Sequence, residues 1–314
     1  FKDRLQNAQN LMSGRSIDAM LLSVGADLPY FTGYEAMPLE RLTMLVLRTG
    51  EQPVLVIPEL EAPRVTTMPD LFKIHPWKET EDPIRIVVDL LKGAETAAVG
   101  DTTWSRFTID ILGCLPNLQL SKASSLTSQL RAVKSEDELF RLQQASSAVD
   151  RIAARLQSGE IDLVGRTEKQ ISDEIGRQII LEGHNKVNFA IVAAGENAAS
   201  PHHEPGERLV QESEVVLCDF GGTMIGEDGV GYCSDITRCV WTGDPPQEFQ
   251  EMYQVLQDAQ AKQVLLCQEG VPAEDVDRAG RKIITQGGYG EYFIHRTGHG
   301  IGVEAHEEPY IVEG

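Results

Sequence analysis

The segment from Val215 to Val240 constrains this chain more than any other. It holds two apolar, strand-like runs, Glu214-Val215-Val216-Leu217-Cys218-Asp219 and Tyr232 to Trp241. Each run carries one carboxylate, Asp219 and Asp235. The link between them is rich in glycine (Gly221, Gly222, Gly229, Gly231), so the runs can pair as a hairpin. Alternation puts Asp235, Thr237 and Cys239 on one face of the second strand and Ile236, Arg238 and Val240 on the other. Asp219, ending the first strand, then comes within reach of Asp235. Two buried like charges are unfavourable unless a cation or a proton lies between them. The plainer alternative makes Asp219 a strand-end turn residue and pairs Asp235 with Arg238 or another base.

The histidines shift that balance. His295, His299 and His306 fall within a short stretch, and His202-His203 lies upstream, so five of the seven histidines sit in two clusters. His299 stands between glycines in Gly298-His299-Gly300-Ile301-Gly302, where the backbone lets a ligand approach closely. Strand carboxylates with a distant imidazole are what a paired divalent metal site needs, and such a site activates water near neutral pH. The spacing does not match a compact zinc finger.

The remaining sequence fits two domains. The first third alternates helical and strand patterns: a helix with Leu5, Ala8, Leu11 and Met12 on one face, then strands at Ala19–Leu22, Leu42–Leu47, Val54–Ile57 and Ala97–Val99. The polar stretch Ser121–Ser125, followed by Leu130–Lys134, places the boundary, giving domains 1–130 and 131–314. Ser135 with Glu138, and Thr167 with Gln170, are capping boxes that open two helices. Asn188–Ala193 reads as a strand. A further helix starts near Pro246, carries Phe249, Met252, Tyr253, Leu256 and Val264 on its apolar face and ends at Gly270. Another runs from Ala273 to Gln286.

The net charge of −20 argues against a nucleic-acid partner, which would need a basic face. No apolar run approaches the ~20 residues that span a bilayer, so no membrane partner is expected. The five cysteines lack a C-x-x-C pair, and three of them sit in strand-like apolar contexts and read as small buried hydrophobes of a reducing, cytoplasmic compartment.

Four motifs together resemble the pita-bread metallopeptidases. They are Asp219-Phe220-Gly221-Gly222, Ser234-Asp235-Ile236-Thr237-Arg238, His295-Arg296-Thr297-Gly298-His299-Gly300-Ile301-Gly302 and His306-Glu307-Glu308-Pro309. Their order is similar to that of the Xaa-Pro aminopeptidase and Xaa-Pro dipeptidase (prolidase) branch. The N-terminal third resembles that branch's creatinase-type domain. The resemblance implies an α/β N-terminal domain and an α+β pita-bread catalytic domain. It further implies two divalent ions, manganese foremost, with cobalt, zinc or iron as alternatives, and a homodimer. The implied substrates are small peptides with proline at the second position, cut by a water that the two ions activate.

Carried onto this chain, the resemblance makes Asp219, Asp235 and His299 metal ligands, with Asp235 bridging. His202 would contact the substrate and support the tetrahedral intermediate; His203 fits the motif one position worse. His306 would steady the scissile carbonyl or the proline side, and His295 would assist proton movement or position the substrate. The family's two later glutamates fall beyond Gly314, so the resemblance implies a pita-bread domain truncated at its C-terminus and an inactive 314-residue chain. The Asp219-to-Asp235 spacing is also longer than is common in the family. Two rival readings share the fold: a creatinase-like, metal-independent amidinohydrolase, and a non-catalytic peptide-binding module. Retention of Asp219 and Asp235 argues against the first, and absent ligands would mark the second.

Overall fold

The computed structural model describes residues 1–314. It divides into two compact units. One comprises Phe1–Val133 with Ile225–Gly231, the other Lys134–Met224 with Tyr232–Gly314.

The first unit is an α/β layer built on one sheet. Helix α1 (Lys2–Gly14) buries Leu5, Ala8 and Met12 and leads into strand β1 (Ala19–Leu22), which is buried on both faces. The short α2 (Asp27–Thr32) precedes the hairpin of β2 (Met44–Arg48) and β3 (Val54–Pro58). Then follow β4 (Lys73–Trp77), α3 (Pro83–Leu90), β5 (Thr96–Val99), α4 (Ser105–Cys114), β6 (Gln119–Lys122) and α5 (Ser124–Ala132). The six strands lie in the order β4-β3-β2-β1-β5-β6. β1 pairs antiparallel with β2 and parallel with β5. The polar stretch Ser121–Ser125 lies within these elements, closing β6 and opening α5. Its polarity marks an exposed sheet edge and a helix start.

The second unit opens with α6 (Glu136–Gln157) and α7 (Glu168–Leu181), and both expected capping boxes are formed, at Ser135/Glu138 and Thr167/Gln170. Strand β7 (Lys186–Ala194) pairs with β8 (Val215–Ile225), which pairs in turn with β9 (Gly231–Cys233) and β10 (Ile236–Trp241). Helices α8 (Gln247–Leu266) and α9 (Ala273–Gln286) come next, then a two-stranded sheet of β11 (Gly298–Gly300) and β12 (Glu307–Ile311). Ile152, Leu156, Ile171, Ile175 and Ile179 from α6 and α7 pack on Val192, Val216, Cys218 and Phe220 of the sheet. Fully burying such side chains contributes about 1.5–3 kcal/mol each.

Three expectations about this unit need correction. β8 does not end at Asp219 but runs on to Ile225, so Asp219 lies mid-strand. The second run is not one strand, because the ladder breaks at Ser234-Asp235 between β9 and β10. Gly221 explains both: a Cβ there would collide with the Ser234 carbonyl, so only glycine lets β8 continue past the break. Helix α8 ends at Leu266, short of Gly270, and it buries Ala259 and Gln263 while Val264 is 66% exposed. A polar side chain takes the inward position because it has a hydrogen-bond partner there, the hydroxyl of the half-buried Thr297.

All five cysteines are free thiols. Cys218 and Cys233 are buried and Cys239 half-buried, while Cys114 is half-buried and Cys267 exposed. No helix is long and apolar enough to cross a membrane.

Candidate metal centre

Asp219 and Thr237 stand directly opposite each other in the β8–β10 ladder. The Thr237 hydroxyl donates to Asp219 Oδ1 at 2.8 Å, which fixes the carboxylate's rotamer. Asp235 projects from the break just before β10. Ser234 holds that break: its N–H donates to Gly222 O at 2.9 Å, and its Oγ lies 2.9 Å from Nε2 of the buried His184. Arg238, the alternative partner for Asp235, is 3.9 Å from Asp150 instead and donates to its neighbour's carbonyl.

A backbone bond ties the hairpin to the histidine segment. Cys233 N–H donates to Gly302 O at 2.8 Å. His299 Nε2 thereby comes within 3.6 Å of Asp235 Oδ2. His299 Nδ1 lies 2.9 Å from Gly300 O. A carbonyl only accepts, so Nδ1 carries the proton and Nε2 offers its lone pair toward Asp235. The His306 ring packs edge-on against His299 at 4.3 Å between centroids. Ligand atoms of Asp235, His299 and His306 all lie within 4.8 Å of one another.

The electrostatics of this cluster favour a cation. Burial first, and the Asp219 charge second, push the Asp235 carboxyl up to about 6, against which His299 pulls only partly. Burial also raises Asp219, although Thr237 and the nearby histidines oppose it. Partial burial, His299 and the Arg296 cation hold the His306 imidazole below its ordinary range, so its lone pair is free near neutral pH. Two carboxylates and two imidazoles that crowd one another when ionised form a donor set suited to manganese, iron, cobalt or zinc. The residues therefore fit a divalent metal. His306, expected beside the substrate carbonyl, stands in the same donor group as His299, whereas Asp219 lies outside that trio.

Of the upstream pair, His202 is exposed and its ring is 6.3 Å from that of His295. His203 is occupied elsewhere: its Nε2 lies 2.7 Å from Glu168 Oε2. Glu168 is fully buried and also accepts from Ala194 N, Asn197 Nδ2 and Gly206 N. Burial alone would raise this carboxyl, but those bonds outweigh it and hold it low. Glu168 thus anchors the loop that carries His202.

Residues 141–314 match the family described as Metallopeptidase family M24, and residues 4–133 match the Creatinase/Prolidase N-terminal domain. The chain belongs to this metallopeptidase family. It is 38% identical to the probable dipeptidase PepE of Mycobacterium tuberculosis over 100% of this chain and 83% of that relative. Among solved structures it resembles dipeptidase PepE from Mycobacterium ulcerans, with 36% identity, a TM-score of 0.90 and coverage of 99% of this chain and 83% of that one. A recombinant prolidase from Thermococcus sibiricus matches at 33% identity and a TM-score of 0.91, over 100% of this chain and 85% of that one. Like its relatives, this metallopeptidase has a creatinase-type N-terminal domain and a pita-bread domain of mixed α/β structure.

The residues that support the ligands of this metallopeptidase carry no local sequence signal. Thr237 shares the Asp235 face by alternation, but its cross-strand position opposite Asp219 depends on the register. Thr237→Val keeps the volume and removes the donor. Divalent-ion affinity should fall about 10- to 100-fold, as for other partners of metal-binding side chains. Titration calorimetry on the metal-free protein reads this directly, and an unchanged affinity would show that Asp219 needs no such orientation.

Proposed function

We propose that this metallopeptidase hydrolyses the bond between an N-terminal residue and proline. The donor cluster of Asp235, His299 and His306 carries the reading, because it brings ligand atoms from three of the four motifs within 4.8 Å of one another. The name of one similar protein, prolidase, supports the proline-directed part, and that of another, dipeptidase, supports a short peptide substrate.

Asp219, Asp235 and His299 hold the metal in this reading, with His306 close enough to join them. The bound ions supply a water of lowered pKa and polarise the scissile carbonyl. The chain's residues do the rest. His202, exposed and with its ring 6.3 Å from that of His295, would donate to the oxygen on which negative charge develops. His295 Nδ1 lies 2.9 Å from Arg296 O and so carries a proton there, leaving Nε2 to take or return one at the substrate. An imide bond before proline has no N–H, so recognition falls on the shape of the ring.

The test is cleavage of Xaa-Pro, Xaa-Ala and Xaa-Pro-Xaa peptides by full-length protein, with metal removed by chelation and then restored. Xaa-Pro cleavage that disappears on chelation and returns with manganese or cobalt is expected. Cleavage indifferent to metal would favour the amidinohydrolase-type site. Metal binding without turnover of any peptide would favour a binding module.

A further inference from the structure

Glu307 follows His306 directly, yet the chemistry above does not use its carboxylate, and only 4% of its side chain is exposed. Lys134 Nζ donates to Glu307 Oε2 at 3.1 Å, and the Lys134 side chain is itself only 12% exposed. A buried ion pair is a weak source of stability, because desolvation offsets most of the attraction. What this pair fixes is the path of the chain.

Residues Ile301 to Ala305 connect β11, which bears His299, to His306. They form no helix or strand, and none of their side chains is buried. The loop is wrapped around the Glu307 carboxylate instead. Oε1 accepts from the Glu304 N–H at 3.1 Å, and Gly302 lies so close that a Cβ there would collide with both carboxylate oxygens. The Gly302 carbonyl in turn takes the Cys233 N–H of β9. Lys134 directly precedes Ser135, the N-cap of α6, so its backbone is held by the capping box. The same turn grips the other arm of the centre. Glu138 accepts from the Tyr232 hydroxyl of β9 at 2.9 Å through Oε1 and from the Ser135 N–H at 2.8 Å through Oε2. Glu138 and Tyr232 are both buried.

We propose that Lys134 is a positioning residue for the metal centre: through Glu307 it holds the loop so that His306 stands beside His299 before an ion binds. The inference rests on the donor cluster of the proposed function. The first turn of α6 is then a template for both arms. Glu138 holds β9, which leads into Asp235, and Lys134 holds the loop that ends at His306. Donors already in place lose less freedom on binding, which raises affinity without adding a contact to the ion.

The experiment is a calorimetric titration of full-length, metal-free protein with Co(II), alongside thermal melts. Lys134→Met keeps the aliphatic stem and removes the charge; Co(II) affinity should fall about 10- to 100-fold. Lys134→Arg, which keeps the charge, should bind closer to wild type. Ile152→Val, which trims a core side chain of the same unit, should melt lower and bind as wild type does. If Lys134→Met is too unstable to titrate, the double variant with Glu307→Gln leaves no unpaired charge and should show the same loss. Wild-type affinity in Lys134→Met or in the double variant, or an equal loss in Ile152→Val, would overturn the positioning role while the metal centre stood. A wild type that binds no divalent ion would overturn the metal centre and this inference with it.

Discussion

Asp235→Asn should lower kcat/KM for Xaa-Pro cleavage by more than about a hundredfold, exceeding the loss seen when a ligand's supporting partner is removed. An amide has neither the charge nor the second anionic oxygen that Asp235 would need as the proposed ligand. The substitution should not unfold the protein. Asp235 and Asp219 repel each other in the metal-free protein, and burial adds to the cost of ionising both. Removing one charge should leave metal-free stability at pH 7 equal or higher, while the stabilisation that added manganese gives to wild type disappears. Thermal melts with and without metal separate the two effects. If metal still raised the melting temperature of Asp235→Asn as much as that of wild type, Asp235 would not be a ligand.

Asp277→Ala should destabilise the second unit by about 3 kcal/mol, the usual cost of removing one partner of a buried ion pair. Asp277 has no exposed surface. It accepts from Arg281 Nε at 2.9 Å and Nη2 at 3.0 Å, from the Thr297 hydroxyl at 2.6 Å, and from the N–H groups of Thr297 and Glu313, each at 3.2 Å. Gln263 of α8 donates to the same Thr297 hydroxyl at 2.7 Å. Asp277 of α9 therefore holds the segment bearing His295 and His299 through Thr297, to which Gln263 of α8 also bonds. Hydrogen exchange should quicken at the Glu313 amide, which donates to Asp277, and metal affinity should weaken with it. Unchanged exchange at that amide would show that the segment is held by something else.

The pH dependence has a definite sign. Burial pushes the Asp277 carboxyl up, but the Arg281 and Thr297 bonds outweigh it and hold it below the usual carboxylate range. A carboxyl depressed in the folded state stabilises fully above its unfolded pKa of about 4, and that contribution is lost as pH falls through the folded value. Glu168 behaves with the same sign. Wild type should lose stability below about pH 4 more steeply than Asp277→Ala, as urea midpoints across that range would read.

Much of this was legible in the sequence because the signals were local. Both capping boxes depend on residues three apart, and both formed. The helix from Ala273 to Gln286 has the bounds its pattern gave. The misreadings arose where a distant group decides. The buried Gln263 in α8 reflects Thr297, thirty-four residues on. The break at Ser234-Asp235 reflects a glycine in the opposite strand.

Residue chemistry and order along the chain determined the family, the two kinds of domain and the inventory of carboxylates and imidazoles near the site. Tertiary structure decided which of them meet. Register set Thr237 against Asp219, the Cys233 to Gly302 bond brought Asp235 to His299, and buried Glu168 took His203 and left His202 free. A sequence lists donors, but ligand geometry and buried hydrogen bonds depend on distances of a few ångströms between elements far apart in the chain, and only packing fixes those.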